Sequence, residues 1–316
     1  MASHDPTYEC PGPRRTGVGE RAARLPSPYD PVLMTPDFAT LTELRFEAPG
    51  RFGANVPDGW QQGRGAFGGL LIALLVRAIS QHEGDDERTL RVLTAELCAP
   101  ALVGSVEIRT ETLRRGSNVT TTTARLLQGE QILAHAVGVL ARQRQDDRRW
   151  VGPAPPAPPD WRSVPPMALP PVFAPVFTRW FEFRPDGPSP FSGAASPMAS
   201  GWIRLKQPGP VRDAAEVAAL VDAWWPAHFA TDDAPRPIAT ISFTLDFVAD
   251  AAIVDRDAPL YHRGTLVAAR HGYLVEQREL WSPEGELLAI NTQTIALISP
   301  SLKRGSIRAG ARSAPH

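Results

Sequence analysis

Cysteine is nearly absent from this chain of 316 residues; only Cys10 and Cys98 occur. Two thiols make neither a disulfide framework nor a structural zinc site, and a reducing, cytoplasmic location is the expectation. An excess of one charge is also lacking. Lys and Arg total 33 against 34 Asp and Glu, a net charge of -1 with a pI near 6.7. Broad electrostatic attraction to nucleic acid or to anionic membrane is therefore not expected. Long apolar runs are missing as well: Leu70–Val76 is the longest, far short of the ~20 residues of a membrane span, and it reads as a core helix. The first residues lack the charged, apolar, small-residue order of a secretory signal.

Several motifs of chemistry are missing too. No Gly-x-Ser-x-Gly occurs, which argues against a nucleophile elbow. The seven histidines (His4, His82, His135, His228, His262, His271, His316) show no metal-ligand spacing, and no metal or cofactor is expected. Gly63-Arg64-Gly65-Ala66-Phe67-Gly68 fits the dinucleotide pattern letter by letter. Asn55–Trp60 before it is no buried parallel strand, so a nicotinamide or flavin site is not expected.

What the chain does have is a core-forming composition, 43% hydrophobic against 21% charged, at a length that suits two ordinary domains. It also says much the same thing twice. Leu93-Thr94-Ala95-Glu96-Leu97 is echoed 150 residues later by Phe243-Thr244-Leu245-Asp246-Phe247. Arg114-Arg115-Gly116 matches Ala269-Arg270-His271-Gly272, and Gly129–Ala134 loosely matches Gly285–Ala289. The copies then diverge: His135-Ala136-Val137-Gly138 stands against Ile290-Asn291-Thr292-Gln293. Gln293 falls opposite Gly138, and Asp222 opposite an apolar position near Ile72. A duplicated scaffold with one polar and one blank pocket predicts a single active site.

Residues 1–36 are rich in Pro, Arg and Gly without period and are expected to be a poorly ordered tail. Residues 37–150 form the first copy, 151–175 a proline-rich linker, 176–300 the second copy and 301–316 a basic tail. Between Pro153 and Pro175 ten of 23 residues are proline, which predicts a stiff linker of polyproline II character. In the first copy, strands are predicted near Glu43–Glu47 and at Arg51–Val56, a buried helix over Leu70–Gln81, then strands at Thr89–Leu97, Gly104–Leu113, Asn118–Leu127 and Gln131–Ala141. The second copy repeats the order: strands at Phe177–Phe183 and Gly201–Lys206, a helix over Asp213–Trp225 capped by Asp213 and stopped by Pro226, then strands at Ile238–Val248, Leu260–Ala269, Tyr273–Trp281 and Glu286–Ile298. The expected fold is α+β: two tandem hotdog repeats, each an antiparallel sheet wrapped around one long helix.

Trp60–Gly69 followed by an apolar helix resembles the N-terminal repeat of double-hotdog acyl-CoA thioesterases related to bacterial thioesterase II. Ala219-Leu220-Val221-Asp222, Ser242-Phe243-Thr244-Leu245-Asp246 and Gly285–Gln293 resemble the C-terminal repeat, and the likeness runs from about Leu41 to Ile298. That family uses an Asp on the second helix, a Thr or Ser on the next strand and a Gln on the last strand. The resemblance places these on Asp222, Thr244 and Gln293. Two departures stand out: Gly-Gly-Gln becomes Gly68-Gly69-Leu70, and the Asp-His pair after the Thr becomes Asp246-Phe247.

Thioester hydrolysis needs a positioned water, a base and donors for the oxyanion. Asp222 would accept the proton or orient the water, and Thr244 and Gln293 would fix it by hydrogen bonds. Gly68 and Gly69, opening a helix, would offer backbone N–H groups to the carbonyl. Asp222 either enters this pocket or points to solvent. Asp246 shares a strand face with Thr244 at period two and either lines the pocket or ends the strand in solvent; Glu96 is its counterpart. Trp224, Trp225, Trp180, Phe181 and Phe183 are read either as core or as the lining of an acyl tunnel. Arg270, His271 and the basic tail are candidates to meet coenzyme A phosphates. The expected partner is an acyl-CoA or related acyl thioester, with no nucleic acid, no membrane span, and homo-oligomerisation through sheet edges left open. The competing reading is a non-catalytic binder of acyl or other hydrophobic ligands on the same scaffold. A hotdog dehydratase is disfavoured because no His lies at a matching place on either helix.

Overall fold

The computed structural model describes residues 36–146, 148–169 and 174–298. The expected N-terminal tail with Cys10, the basic tail and residues 170–173 of the linker lie outside the described residues. Asp37 caps a short helix α1 (Phe38–Leu41), its Oδ1 accepting the Thr40 N–H at 2.8 Å. Strands β1 (Arg45–Ala48) and β2 (Arg51–Val56) follow, then a two-residue ladder of β3 (Gln61–Gln62) with β4 (Gly65–Ala66). Helix α2 (Gly68–Glu83) comes next, then β5 (Thr89–Leu97), β6 (Gly104–Arg115), β7 (Val119–Gln128) and β8 (Gln131–Ala141). Beyond the proline-rich segment lie β9 (Phe181–Pro185), β10 (Met198–Leu205), helix α3 (Ala214–Asp222), β11 (Ile238–Phe247), β12 (Leu260–Arg270), β13 (Tyr273–Trp281) and β14 (Leu287–Leu297).

All strands except β3 and β4 join one antiparallel sheet of 12 strands, ordered β1-β2-β6-β7-β8-β5-β11-β14-β13-β12-β10-β9. The strand order of the second half mirrors that of the first. The halves are stitched at the middle, where Leu93 of β5 pairs with Leu245 of β11 and Ala95 with Phe243. The helices lie on one face of this sheet, and the apolar core fills the space between.

The expected long helix in each copy needs correction. Helix α2 has 16 residues, is apolar almost all round and ends on Gly84, which adopts a left-handed φ of 64°. Helix α3 has only nine. Asp213 does cap it, its Oδ1 accepting the Glu216 N–H at 2.9 Å, but it stops at Asp222 rather than Trp225. Pro226 has no N–H to offer the Asp222 carbonyl. The Arg278 guanidinium instead donates to the carbonyls of Val221 and Asp222, both at 3.1 Å.

Two other expectations change. Of the strand predicted over Phe177–Phe183, the first four residues lie in a 3-10 turn, Val176–Trp180, that follows Pro175, where Phe177 lies flat on Phe67 with ring centroids 4.0 Å apart. Local alternation favoured a strand; this stacking contact overrode it. The proline-rich segment forms no helix or strand among the described residues, yet it is no free spacer. The Trp202 indole donates to Pro159 O at 3.0 Å, Arg184 to Val164 O at 2.7 Å and Arg263 to Ala154 O at 3.0 Å, which fasten it to the C-terminal half.

Candidate active site

Asp222 ends α3 with its side chain turned inward, almost wholly buried. This settles the two readings of that residue against solvent. The Gln293 amide of β14 donates to Asp222 Oδ1 at 2.8 Å and to Asn291 Oδ1 at 3.0 Å. Gln293 Oε1 accepts the hydroxyl of Thr240 at 3.1 Å. Asn291 donates to the Thr244 carbonyl at 2.7 Å, which anchors the network to the backbone of β11. Asn291 and Gln293 are both fully buried, so each amide group must find its partners within the protein, and it does.

Thr240, not Thr244, is the hydroxyl in this network. Gln293 pairs across the ladder with Phe243, whereas Thr244 pairs with Thr292 on one side and Thr94 on the other. Cross-strand partners share a face, so the Thr244 side chain is on the face opposite Gln293. A bulge between Thr240 and Ser242 leaves Ile241 unpaired and brings Thr240 opposite the buried Ile295. One extra residue reverses the alternation, and Thr240 turns to the inner face. Period-two counting along β11 could not find it; the pairing with β14 is what reveals the bulge. Asp246 fails with Thr244 for the same reason. It pairs with Ile290 and Val92 and is exposed on the other face.

Gly68 and Gly69 do meet the site. A methyl on Gly68 would stand 3.0 Å from Asp222 Oδ2, and one on Gly69 would stand 3.1 Å from the Ala219 Cα atom of α3. Glycine at both positions lets the start of α2 press against the end of α3. The Gly69 backbone N–H faces the Asp222 carboxylate closely enough to favour its charged form. Gly68, in the first helical turn, has no intrahelical acceptor for its own N–H.

Behind Asp222 lies a buried ion pair that sequence reading missed. Arg278 of β13 donates from Nε to Glu276 Oε1 at 2.8 Å, and its Nη1 lies 3.9 Å from Asp222 Oδ1. Glu276 Oε2 accepts the Ala227 N–H at 2.7 Å. Burial pushes the Asp222 carboxyl above its usual range, while Arg278, the Gln293 amide and the Gly69 N–H pull it back. Burial also raises Glu276. The signal that could have found the pair is two charges at period two, Glu276 and Arg278, in a strand whose other members of that face, Leu274 and Leu280, are apolar.

Of the aromatic residues read as either tunnel or core, Phe181, Phe183, Trp224 and Trp225 belong to a packed chain of rings, and Trp180 stacks on Trp60 with centroids 5.8 Å apart. Phe67, Phe177, Phe181, Phe183, Trp224 and Trp225 follow one another at centroid distances of 4.0–6.1 Å. Arg270 and His271 sit at the exposed turn between β12 and β13.

The geometry provides a buried carboxylate with one oxygen engaged by an amide, a hydroxyl bonded to the oxygen of that same amide, and a helix N-terminus against the other carboxylate oxygen. That set can hold a water and take its proton. Two family models match the chain: the acyl-CoA thioesterase N-terminal domain over residues 56–141 and the C-terminal domain over residues 142–297. Among solved structures, a conserved protein of unknown function with a hot dog fold from Alicyclobacillus acidocaldarius is 27% identical, with TM-score 0.76, covering 83% of this chain and 98% of that one. A putative thioesterase II from Thermobifida fusca YX is 22% identical, with TM-score 0.71 and coverage of 83% and 97%. The tesB protein of Mycobacterium avium subs paratuberculosis is 18% identical, with TM-score 0.66 and coverage of 82% and 97%. At those identities the last two support the fold alone. A search of curated proteins finds no match. No helix among the described residues is long and apolar enough to cross a membrane.

Proposed function

This chain belongs to the acyl-CoA thioesterase family, and from that premise we propose that it hydrolyses its thioester with a water held between Asp222 and Thr240. The observation that carries this reading is the buried chain of hydrogen bonds from Thr240 through Gln293 to Asp222. Thr240 spends its proton on Gln293, so its oxygen lone pairs are left to accept from the water. Gln293 locks Asp222 Oδ1, leaving Oδ2 to act as base. Asp222 takes one proton as the water oxygen attacks the thioester carbon. The carbonyl oxygen becomes an oxyanion that the Gly68 N–H stabilises. Collapse breaks the C–S bond, and the proton held on Asp222 passes to the departing thiolate. The products are a free acid and coenzyme A, and no side chain is acylated.

Thiol release from a panel of acyl-CoAs, short to long, tests this with Asp222→Ala, Thr240→Ala and Thr244→Ala beside the wild type. The reading expects turnover to collapse in the first, to fall in the second and to persist in the third. Loss in Thr244→Ala with retention in Thr240→Ala would reverse the assignment on β11. Tight acyl-CoA binding without turnover in the wild type would make the protein a binder of acyl ligands.

A further inference from the structure

The Arg278–Glu276 pair is not needed to name the hydrolytic residues, yet both of its charges are almost wholly buried. Both side chains are buried on the inner face of the sheet, between the apolar Leu274 and Leu280 of the same strand. A buried charge is retained only where it is paired and hydrogen-bonded, and apolar residues of similar volume serve stability as well or better. Arg278 does three separate things here. It takes the last two carbonyls of α3, it grips Glu276, and it faces the Asp222 carboxylate. Glu276 holds Arg278 on one oxygen and the Ala227 N–H on the other, so it also fixes the chain just beyond Pro226.

We propose that Arg278 and Glu276 are positioning residues for the hydrolysis, ending α3 at Asp222 and governing the charge of its carboxylate. The inference rests on the reading of Asp222 as the base. Arg278 alone stands between two buried carboxylates, so the cluster carries one uncompensated negative charge when both are ionised. Each member therefore tunes the others: the guanidinium favours ionised Asp222, and the Glu276 carboxylate opposes it. The groups facing Asp222 are the Gly69 N–H from α2, Glu276 and Arg278 from β13, and Gln293 from β14. Burial is the main cause that pushes down both His262 of β12 and His228 of the Ala227–Ala230 turn; Arg278 lowers both further, while at His228 Arg236 also lowers and Asp232, 3.7 Å away, opposes.

The experiment is the pH profile of kcat/KM in Glu276→Gln, Arg278→Met and the double variant, with Asp222→Asn as reference. Glu276→Gln keeps the shape and an acceptor for Ala227 while removing a negative charge. The acid limb of its profile should move to lower pH, by about half a unit or more. Arg278→Met removes the positive charge, and the limb should move up by about one unit or more. The double variant should return it toward the wild type. Opposite displacements from neighbouring substitutions are not what general loosening of the fold produces, and Glu276→Gln keeps the test alive if Arg278→Met does not fold. A limb that vanishes in Asp222→Asn but stays in place, or moves in one direction, in the other variants overturns this inference alone. A limb that survives Asp222→Asn overturns the hydrolytic reading, and this inference with it.

Discussion

The inner faces of the two halves of the sheet can be compared position by position, because the register is the same in each. Gly138 lies between Leu93 and Thr122; its counterpart Gln293 lies between Phe243 and Glu276. One step along, Ala136 lies between Ala95 and Ala124, and Asn291 between Leu245 and Arg278. Thr122, Ala124, Ala136 and Gly138 thus correspond to Glu276, Arg278, Asn291 and Gln293. Small side chains in the first half let α2 run its full length across the sheet, with Ile79 pressed onto Gly138. Large polar ones in the second half occupy that space, and α3 stops where Arg278 takes its last carbonyls. The same backbone serves packing on one side and chemistry on the other, and helix length goes with the choice.

The comparison breaks most visibly at Asp222. Asp222→Ala should lower kcat by about 10²–10⁴-fold, the usual worth of a general base, read as thiol release with the fold checked by circular dichroism. The first half should respond in stability instead. Ile79→Ala should cost about 2–5 kcal/mol in denaturant melts, as removal of buried aliphatic atoms does, with kcat little changed. Gly138→Gln, which writes the second half's residue into the first, should destabilise by about 1–3 kcal/mol through overpacking and create no second site. Its Cβ alone would come within 2.9 Å of Ile79 and 3.0 Å of Leu90.

Smaller effects sharpen the contrast between faces. Thr240→Ala should lower kcat about tenfold, the worth of roughly one hydrogen bond, whereas Thr244→Ala should leave it within about twofold. The smallest expected effect is a gain: Asp222→Asn should stabilise the protein by on the order of 1 kcal/mol at pH 8, as relief of a strained functional site commonly does. The sign follows from the raised Asp222 carboxyl. Where the folded state holds its proton more tightly than the unfolded state, stability present at low pH is lost as pH rises through the folded value. The gain in melting temperature should therefore shrink as the pH falls below that value.

Much of the fold was readable from residue order. Strands β5, β8 and β13 occur where alternation and β-branched residues put them. Asp222 and Gln293 stood out because the repeat set them against apolar or absent side chains, and the resemblance to the thioesterase repeats gave them roles. Thr240, the end of α3 and the turn at Val176–Trp180 were not, since each depends on a partner distant in the chain: β14, Arg278 and Phe67.

By itself, then, the sequence determined most of the element types, the apolar α2, the duplication and the residue types available for hydrolysis. These follow from local propensity and period, which neighbouring residues set among themselves. Tertiary structure alone decided which hydroxyl faces Gln293, where the second helix ends and which charges stand behind Asp222. A strand's face is a property of its pairing, so one unpaired residue at Ile241 reassigns every side chain on its far side. A helix end depends on who takes its last carbonyls, and here the donor comes from a strand 56 residues further on.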